Sequence, residues 1–392
     1  MKRKLKLVFS ALLLCFCLLC TLMSDHKIAR AEEDYSKELN ESILQQLNEL
    51  DLKALEEYLQ SLEGGTDTNI VQRLYDYIQG EPFNYESFFA DMGEVLLDGI
   101  QKLFPAFACI AAITLLCGIL SSLKSQYLSG SSGQMIFMIA YISTLIPILS
   151  ILTDCFLSSQ SCIFSMQEQM QIVFPIMLTL MAASGGTVSV AIYQPTVAFL
   201  CNTLVGLISE IVFPITLTIV CFSIAGHLFG EMKLGKFTAF FKSINKWIMG
   251  VGVSVFGLFF TIQGITSATY DGIARRAAKY AIGTGVPIVG GFLSGGFDLA
   301  IAGSMLIKNS LGNMSLFLLV SVLFEPLLLL IAVNILLRLT AAVTQPFGDS
   351  RISDFLGETA DNLNYCTAGL LFTAFLYFVV ILLIVCSSEA FF

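Results

Sequence analysis

Charged residues are scarce in this chain of 392 residues. They make up 13% of the sequence, whereas about 25% is usual for soluble globular proteins. Hydrophobic residues make up 56%. A composition this poor in charge excludes an ordinary soluble protein and is typical of a chain with several membrane-spanning segments.

Histidine and nucleotide-binding motifs are also scarce or missing. The chain has two histidines, and His26 falls in the leading apolar segment, so His227 is the one that remains for the body of the protein. The body of the protein therefore has too few histidines to favour a zinc site, a Ser-His-Asp triad or a Cys-His pair. No Walker-type loop is present, and no cofactor is expected. A membrane enzyme is disfavoured by the single remaining histidine and the lack of a catalytic motif, and only Asp and Glu side chains that meet across helices could supply its chemistry.

Basic residues are fewest where the chain is most acidic. Residues 32–101 carry 17 acidic and 3 basic residues, and residues 102–392 carry 12 of each. Nucleic acid is not expected as a partner, because phosphate binding needs clustered Lys and Arg. The uneven charge instead predicts a small acidic module followed by a membrane domain.

The first 31 residues have the order of a secretory signal peptide. Basic residues at positions 2, 3, 4 and 6 precede an apolar run at 7–23, and Ala29 and Ala31 form a small-x-small cleavage pattern. An uncleaved anchor is the alternative, although the run of 17 residues is barely long enough for one. In either case residue 32 begins on the far side of the membrane.

Residues 32–98 are predicted to form an acidic extracytoplasmic module of short helices. Leucine and isoleucine recur at helical spacing from 39 to 62, and two further stripes cover 70–78 and 88–96. Helices over so short a stretch bury little area on their own. Two interpretations remain open: a docking face for a partner, or a self-contained helical cap with an acidic surface.

Residues 99–392 are predicted to form a mostly α-helical, polytopic membrane domain with six to eight spans. Three of its apolar segments (171–192, 196–226 and 286–306) hold prolines or glycine runs, and are predicted to be broken or re-entrant around a lined interior. The Lys and Arg counts of the loops do not decide the orientation. The eight apolar segments are 102–123, 134–157, 171–192, 196–226, 248–269, 286–306, 314–337 and 366–387.

A nine-residue element occurs twice within this domain. IVFPIMLTL at 172–180 recurs as IVFPITLTI at 211–219, with seven of nine positions identical. A repeated element with a helix-breaking proline is typical of the paired broken helices of transporters. Chance similarity between two apolar segments is the alternative.

Several charged residues fall within or beside the apolar segments. A charged group at the centre of a spanning helix costs roughly 2.5–3.5 kcal/mol, so such residues are functional candidates. Glu325 could serve an ion or proton site or a polar bond between helices, but it lies about 20 Å along a straight helix from Arg338, too far for a direct pair. An ion-coupled secondary transporter with broken-helix repeats is therefore one hypothesis. The candidate membrane-embedded polar or hinge positions are Glu210, Glu325, Arg338, Pro175, Pro214 and Asp298.

Three stretches of the sequence resemble the stage III sporulation protein AE family. They are GVPIVGG at 285–291, GSMLIKNSLG at 303–312 and QPFGDSRISDFL at 345–356. The order of signal peptide, acidic exported stretch and multiple spans is similar as well. The resemblance implies no catalytic residue. Its motif positions here are Pro287, Gly290, Lys308, Asn309, Gln345, Pro346, Gly348, Asp349 and Arg351.

The resemblance implies a function that composition could not show. Family members are membrane proteins of endospore-forming bacteria, and they lie in the mother-cell membrane around the forespore. They join other products of the same operon, including a secretion-type ATPase and ring-forming subunits, and a forespore membrane channel protein. The resemblance thus implies a membrane core subunit of an export-like channel from mother cell to forespore, required for forespore development.

Overall fold

The structure is a computed structural model, and it describes residues 33–62, 70–79, 85–124, 131–184, 186–228, 234–258, 290–346 and 350–386. These residues are almost entirely α-helical. The chain divides into two units, residues 1–42 and residues 43–392. The helices are α1 (Glu33–Glu49), α2 (Lys53–Leu62), α3 (Ile70–Gln79), α4 (Tyr85–Lys124), α5 (Ser131–Ala183), α6 (Thr187–Leu207), a π-helical turn (Ile208–Val212), α7 (Phe213–Leu228), α8 (235–258), α9 (Gly290–Thr344) and α10 (Ser350–Cys386).

Helix α5 joins two segments that the sequence pattern separates. It has 53 residues and continues through Pro147 and Pro175. The predicted break in segment 171–192 is present, but it lies between Ala183 and Thr187, where a Ser-Gly-Gly sequence replaces apolar residues. Pro175 lies inside this helix, because a spanning helix tolerates a proline when neighbouring groups satisfy the freed carbonyl, and its role as a hinge stays a prediction.

Helix α9 likewise joins segments 286–306 and 314–337 in one helix of 55 residues. A re-entrant break is therefore wrong for the described part of segment 286–306, from residue 290 onward. Two glycines of α9 lie in close contacts: a Cβ at Gly303 would lie 2.9 Å from Gln46 Nε2, and a Cβ at Gly312 would lie 2.6 Å from Val385 Cγ2. Small residues of this kind let two membrane helices approach closely.

Five helices in the described part are long and apolar enough to cross a membrane, judged by length and composition. This finding supports a helical membrane protein, while the number of six to eight spans stays a prediction. Two of the five apolar stretches have 46 residues, which is roughly 69 Å of helix against about 30 Å of hydrocarbon. The five stretches are Gly99–Leu116, Met138–Ala183, Asn202–Leu228, Leu299–Thr344 and Arg351–Cys386.

Contacts along α10 set the relative directions of the long helices. Helix α9 is antiparallel to α10, because Lys308 contacts the end of α10 whereas Arg338 contacts Asp361 near its start. Helix α5 is parallel to α10: the ring of Tyr141 lies 5.1 Å from that of Phe355 at one end. Further along, Phe174 and Tyr377 lie 5.6 Å apart.

These directions give the bundle two polar ends. The Glu358 end holds Glu358 and Asp361 of α10 with Lys242 of α8. The Lys308 end holds Lys308 of α9 and the last turn of α10. Residues 358 and 384 are about 39 Å apart along α10, close to the thickness of a bilayer with its headgroups.

Helices are present where the apolar stripes of the acidic segment predict them. Within residues 43–79, the buried side chains include Leu47, Leu55 and Leu74. Helix α2 packs on α5, and α3 packs on α9. The apolar stripes are therefore buried against the protein's own long helices. The exported position of this segment and its boundaries at 31 and 98 stay predictions, and the signal peptide lies outside the described residues.

Two side-chain contacts fix this docking. Gln169 of α5 is buried and donates a hydrogen bond from Nε2 to the Tyr58 hydroxyl oxygen at 2.8 Å. Burial raises the pKa of Tyr58 above its ordinary value, so the phenol stays neutral. Gln46 of α1 accepts a hydrogen bond from Ser304 Oγ at 2.9 Å and donates one to the Ala300 carbonyl at 3.2 Å.

Candidate functional site

Lys308, a position of the second sequence motif, closes the end of α10. Its side chain is fully buried. Its Nζ donates hydrogen bonds to the carbonyl oxygens of Ile384 at 3.1 Å and Val385 at 2.8 Å. Carbonyls in the last turn of a helix have no partner within the helix, and a cation there is also stabilised by the helix dipole. Lys308 therefore caps α10 and ties it to α9.

The rest of the second motif surrounds this cap. Gly303 faces α1, where a Cβ would lie 2.9 Å from Gln46 Nε2. Gly312 faces both Val385 and Met177. Asn309, beside Lys308, is half-buried. The stretch 303–312 thus spans almost three turns of α9 that contact α1, α5 and α10, and these contacts account for its glycines and its buried lysine.

A second polar cluster joins four helices at the Glu358 end, three of them through Glu358 itself. Glu358 accepts hydrogen bonds from Lys242 Nζ and from Ser223 Oγ, both at 2.8 Å. Its side chain is 29% exposed and that of Lys242 is 23% exposed, so the ion pair is largely shielded from solvent. A charge-assisted pair in such surroundings is stronger than a surface pair. Glu358 therefore anchors α8 and α7 to α10.

His227 borders this cluster. Its Nδ1 lies 2.8 Å from the Ser223 carbonyl oxygen and 3.8 Å from Glu358 Oε2. A carbonyl can only accept, so Nδ1 carries the hydrogen. Tyr141 closes the other side by donating to the Ile224 carbonyl at 2.9 Å. The cluster thus joins α5, α7, α8 and α10.

Arg338 has a partner on the next helix. It donates from Nη2 to Asp361 Oδ1 at 2.7 Å and from Nε to Asn334 Oδ1 at 2.8 Å. Asn334 in turn donates to the Ala360 carbonyl at 2.6 Å. This confirms that Arg338 does not pair with Glu325, and it makes Arg338 a link between α9 and α10.

The π-helical turn lies just before Pro214. Phe213 N–H bonds to the Ile208 carbonyl, five residues back, as a π turn requires. Asn245 of α8, fully buried, donates to Thr216 Oγ1 at 2.8 Å beside this turn. The irregularity predicted in segment 196–226 is therefore a widened turn inside a continuous helix, and α8 braces it.

Both copies of the repeated element contact α10 through the phenylalanine that precedes the proline. The proline of each copy is exposed, and the phenylalanine before it is buried. Phe174 packs on Tyr377. Phe213 lies 3.4 Å from the Cβ position of Gly369, two turns earlier on the same helix. The repeat thus marks two similar contacts with α10.

A groove of about 390 Å³ lies between α5 and α6. Phe174 and Leu178 are buried at its base, while Pro175 and Gln194 are exposed at its rim. An amide cluster closes one end, where Gln167 and Gln171 donate from Nε2 to Asn202 Oδ1 at 3.2 and 3.4 Å. We name this feature, lined by Gln167, Met170, Gln171, Phe174, Pro175, Leu178, Thr179, Ala182, Val190, Gln194, Val197, Ala198 and Asn202, the α5–α6 groove.

The other predicted positions are dispersed. Glu210, in the π turn, and Glu325, on α9, are both exposed and lie on different helices. In the part of the chain that the structure describes, Glu210 and Glu325 do not line a common interior. Gln345 and Pro346 form the turn after α9, where the Gln345 N–H bonds to the Ala341 carbonyl at 3.0 Å.

The remaining motif positions fall at helix ends or outside the described part. Gly290 begins α9, and the Arg351 side chain is exposed in the first turn of α10. The side chain of Asp298 lies outside the described residues. So do the positions Pro287, Gly348 and Asp349. Among the residues that the structure describes, no group of three His, Cys, Asp or Glu could hold a metal ion.

Sequence reasoning missed the Glu358 cluster and Gln169. Glu358 and its partner Lys242 lie 116 residues apart, and Gln169 lies 111 residues from Tyr58. One signal was available: Glu358 and Gln169 are strongly polar residues at the margins of apolar runs, where each needs a partner.

The family of the chain follows from a comparison with known proteins. Residues 69–388 match the family described as stage III sporulation protein AE. The chain belongs to this family. The match covers α3 to α10 and all three sequence motifs, so the Lys308 cap and the Glu358 cluster both lie within it, whereas α1 and α2 precede it.

One relative in the family is stage III sporulation protein AE of Bacillus subtilis (strain 168). It is 25% identical over 296 residues, which cover 76% of this chain and 73% of the relative. No solved structure gives a significant match. Membership of the family implies a role in sporulation, and the family is described by a developmental stage, not by a reaction.

Proposed function

We propose that this protein is a membrane core subunit of the export-like channel between mother cell and forespore, required for forespore development. The match to the stage III sporulation protein AE family over residues 69–388 carries the proposal. The apolar helices and the polar clusters between them support a structural and translocation role, because those clusters join helices and none is arranged around a reacting group. The protein would lie in the mother-cell membrane that surrounds the forespore.

The two ends of the bundle suggest its orientation. The Glu358 end gathers Lys236, Lys242 and Lys246 of α8 with Arg338 and Arg351. Loops rich in Lys and Arg stay on the cytoplasmic side. The Glu358 end would therefore face the mother-cell cytoplasm, and the Lys308 end, with α1 to α3, would face the space between the two membranes.

This orientation divides the proposed partners between the two ends. The secretion-type ATPase would meet the Glu358 end, since nucleotide is cytoplasmic and this chain lacks a nucleotide-binding loop. The ring-forming subunits and the forespore membrane channel protein would be reached from the Lys308 end. The lipid bilayer surrounds the helices between them.

Deletion of the gene in its own host tests the function. Vegetative growth should be normal, while heat-resistant spores should be lost and a late forespore reporter should stay silent after engulfment. Re-supply of the intact gene should restore both readouts. Normal sporulation in the deletion strain, or a defect in vegetative transport alone, would overturn the proposal.

Single cysteines test the orientation. After every cysteine except the buried Cys155, Cys162 and Cys366 is changed to serine, Glu57→Cys on α2 and Lys236→Cys on α8 provide matched exposed sites. In intact protoplasts, an impermeant maleimide should label the Glu57→Cys protein, and the Lys236→Cys protein only after permeabilisation. The opposite labelling would reverse the orientation without affecting the family assignment.

The structure gives the transporter alternative less support than the sequence did. A coupled transporter needs its carboxylates around a common interior near the bilayer midplane. Glu210 and Glu325 are instead exposed on different helices. Both copies of the repeated element contact α10 through a phenylalanine.

A further inference from the structure

We propose that lipid covers only the Glu358 side of the long helices, and that α5 beyond Phe164, α6 up to Asn202 and α2 form a helical domain outside the bilayer. Two apolar stretches have 46 residues, about 69 Å of helix, whereas the hydrocarbon layer is roughly 30 Å thick. Part of each stretch must therefore tilt or leave the lipid. The inference requires only that the protein lies in a membrane, so it stands apart from the channel assignment.

The exposed surface of α5 changes character along the helix. Large apolar side chains are exposed from Met135 to Phe164, and none is exposed on the described residues of α5 beyond Phe164. Among the described side chains of α6, the exposed ones are likewise polar or small, and they include Gln194 and Asn202. An extended exposed apolar surface is typical of contact with a membrane. The exposed residues that follow Phe164 on α5 are Glu168, Gln171, Pro175, Thr179 and Ala183.

Other helices expose large apolar side chains on the same side of the bundle. On α8 they extend from Phe237 to Leu258, beside the part of α10 that begins at Glu358. On α9 they begin at Ile335, close to the contact of Arg338 with α10. The described residues of α9 that are exposed before this point are polar: Asn313, Ser321 and Glu325. We name the exposed large apolar side chains of α5, α8 and α9 the apolar band.

The height of the apolar band agrees with the thickness of a bilayer. Tyr141 and Phe174 of α5 are 33 residues apart, and they contact Phe355 and Tyr377 of α10, which are 22 residues apart. Each residue of α5 therefore advances only about two thirds as far along the direction of α10. The band covers 29 residues of α5, about 44 Å of helix, which correspond to roughly 29 Å along α10. The hydrocarbon layer has nearly this thickness.

The position of α2 shows which part of α5 leaves the lipid. Tyr58 of α2 accepts a hydrogen bond at 2.8 Å from Gln169, which follows the last residue of the band by little more than one turn. The ten residues of α2 include three charged ones, and the side chains of Lys53 and Glu57 are exposed. Exposed charges are costly in hydrocarbon, and so short a helix cannot span it. The level of Gln169 therefore lies outside the hydrocarbon.

Two carboxylates limit where lipid is assigned. Asp154 of α5 lies within the band, and Glu210 is exposed beside the exposed Ile211. Carboxylates at membrane depth face protein or a water-filled cavity, not acyl chains. Lipid is therefore assigned to the large apolar side chains and not to these two positions.

The α5–α6 groove falls outside the lipid under this assignment. Its lining runs from Gln167 to Ala182 on α5 and from Val190 to Asn202 on α6, beyond the end of the apolar band. A partner that reaches the groove would come from the aqueous side and not from within the membrane. In the proposed orientation, that side is the space between the two membranes.

Quenching of tryptophan fluorescence by brominated lipid tests the band in the unmodified protein. The sequence has a single tryptophan, Trp247 of α8, which is 70% exposed within the band. The purified full-length protein is placed in nanodiscs of phosphatidylcholine with bromine at the middle of the acyl chains. Fluorescence should fall about twofold relative to nanodiscs of unbrominated lipid, because bromine near the centre of the hydrocarbon quenches a neighbouring indole.

A matched pair of variants then locates the boundary on α5. In the Trp247→Phe protein, Leu157→Trp lies within the band and Thr179→Trp lies beyond it. Both positions are exposed, and they are about six turns and 33 Å apart, on the same side of the helix. Brominated lipid should quench only the Leu157→Trp protein, and aqueous iodide only the Thr179→Trp protein. Thermal unfolding shows whether each variant folds; Ile142→Trp and Gln194→Trp replace a member of the pair that does not.

Three results would overturn the inference. Quenching of the Thr179→Trp or Gln194→Trp protein by brominated lipid would place α5 and α6 in the hydrocarbon. Iodide quenching of the Leu157→Trp or Ile142→Trp protein, without quenching by lipid, would place the band in water. Unchanged fluorescence of Trp247 in brominated lipid would remove α8 from the band. Normal sporulation of a deletion strain would overturn the channel assignment but would leave this boundary intact.

Discussion

Replacement of Lys308 by methionine should loosen the end of α10 while leaving the rest of the helix in place. Methionine keeps the length of the apolar stem but cannot donate a hydrogen bond. The change therefore removes the bonds to the Ile384 and Val385 carbonyls, at 3.1 and 2.8 Å. Both carbonyls would then lie at a helix end without the partner that the lysine supplies.

The magnitude follows from two opposing contributions. Hydrogen bonds to a charged group contribute about 1.5–3 kcal/mol each, so two of them represent about 3–6 kcal/mol. Removal of the buried cation recovers part of this, because burying an ammonium group costs several kcal/mol before it is paired. We expect a net loss of about 2–3 kcal/mol, which corresponds to opening of the last turn about 30- to 150-fold more often.

Hydrogen exchange followed by mass spectrometry measures this opening. Peptides that cover residues 377–386 should lose protection in the Lys308→Met protein, whereas peptides that cover 355–366 should not. Lys246→Met is the matched control, because Lys246 is an exposed lysine on α8. Unchanged protection at 377–386 would refute the capping role, and an equal loss along the whole of α10 would show that the effect is not local.

Three further perturbations follow from the same contacts. A double-mutant cycle with Glu358→Gln and Lys242→Met should give a coupling of about 1–2 kcal/mol in detergent unfolding, because the shielded pair is stronger than the roughly 0.2–1 kcal/mol of exposed pairs. Gly312→Ala should lower the stability by about 1–3 kcal/mol, because the new Cβ meets Val385 Cγ2 at 2.6 Å, and Val385→Ala should restore part of the loss. Raising the pH above about 10, the ordinary pKa of tyrosine, should detach α2 from the long helices. The pKa of Tyr58 is raised in the folded state, so the ionised phenolate favours the detached state. Absorbance at alkaline pH follows the ionisation. The stability that this group contributes is complete below pH 10 and is lost as the pH rises toward its folded pKa.

Each of these perturbations has an outcome that contradicts its reasoning. A coupling energy near zero would mean that the Glu358 pair behaves as a surface pair. If Val385→Ala does not restore any stability to the Gly312→Ala protein, the destabilising clash does not involve Val385. For the alkaline transition, Tyr58→Phe is the control, since it removes the ionising group, and a transition that persists in this variant would belong to another residue.

Periodicity predicted the helices well because it reports burial on one face. The leucines from 39 to 62 and the stripe at 70–78 correspond to α1, α2 and α3. Helix ends were predicted less well. Pro175 marks no end, because α5 continues past it for eight residues to Ala183. A proline raises the cost of a helix locally, but an apolar stretch in lipid has no better way to satisfy its backbone.

The polar contacts could not be derived from the sequence, for a different reason. Lys308 was identified as a motif position, but its partners are backbone carbonyls 76 and 77 residues away, and every residue type carries a carbonyl. Arg338 could be separated from Glu325 by distance along a helix, yet the choice of Asp361 depended on how α9 and α10 pack. Pairings of this kind depend on the tertiary arrangement, which a single sequence does not encode locally.

The contact between Gln46 and Ser304 has a consequence for biogenesis. The two residues are 258 positions apart, and a ribosome that adds 5–20 residues per second needs roughly 13–50 s to make the chain between them. During that interval α1 and α3 have left the ribosome, while the part of α9 that they contact has not been synthesised. The newly made segment must therefore wait with its apolar stripe uncovered, and a holding chaperone or the membrane surface itself would have to protect it until α9 arrives.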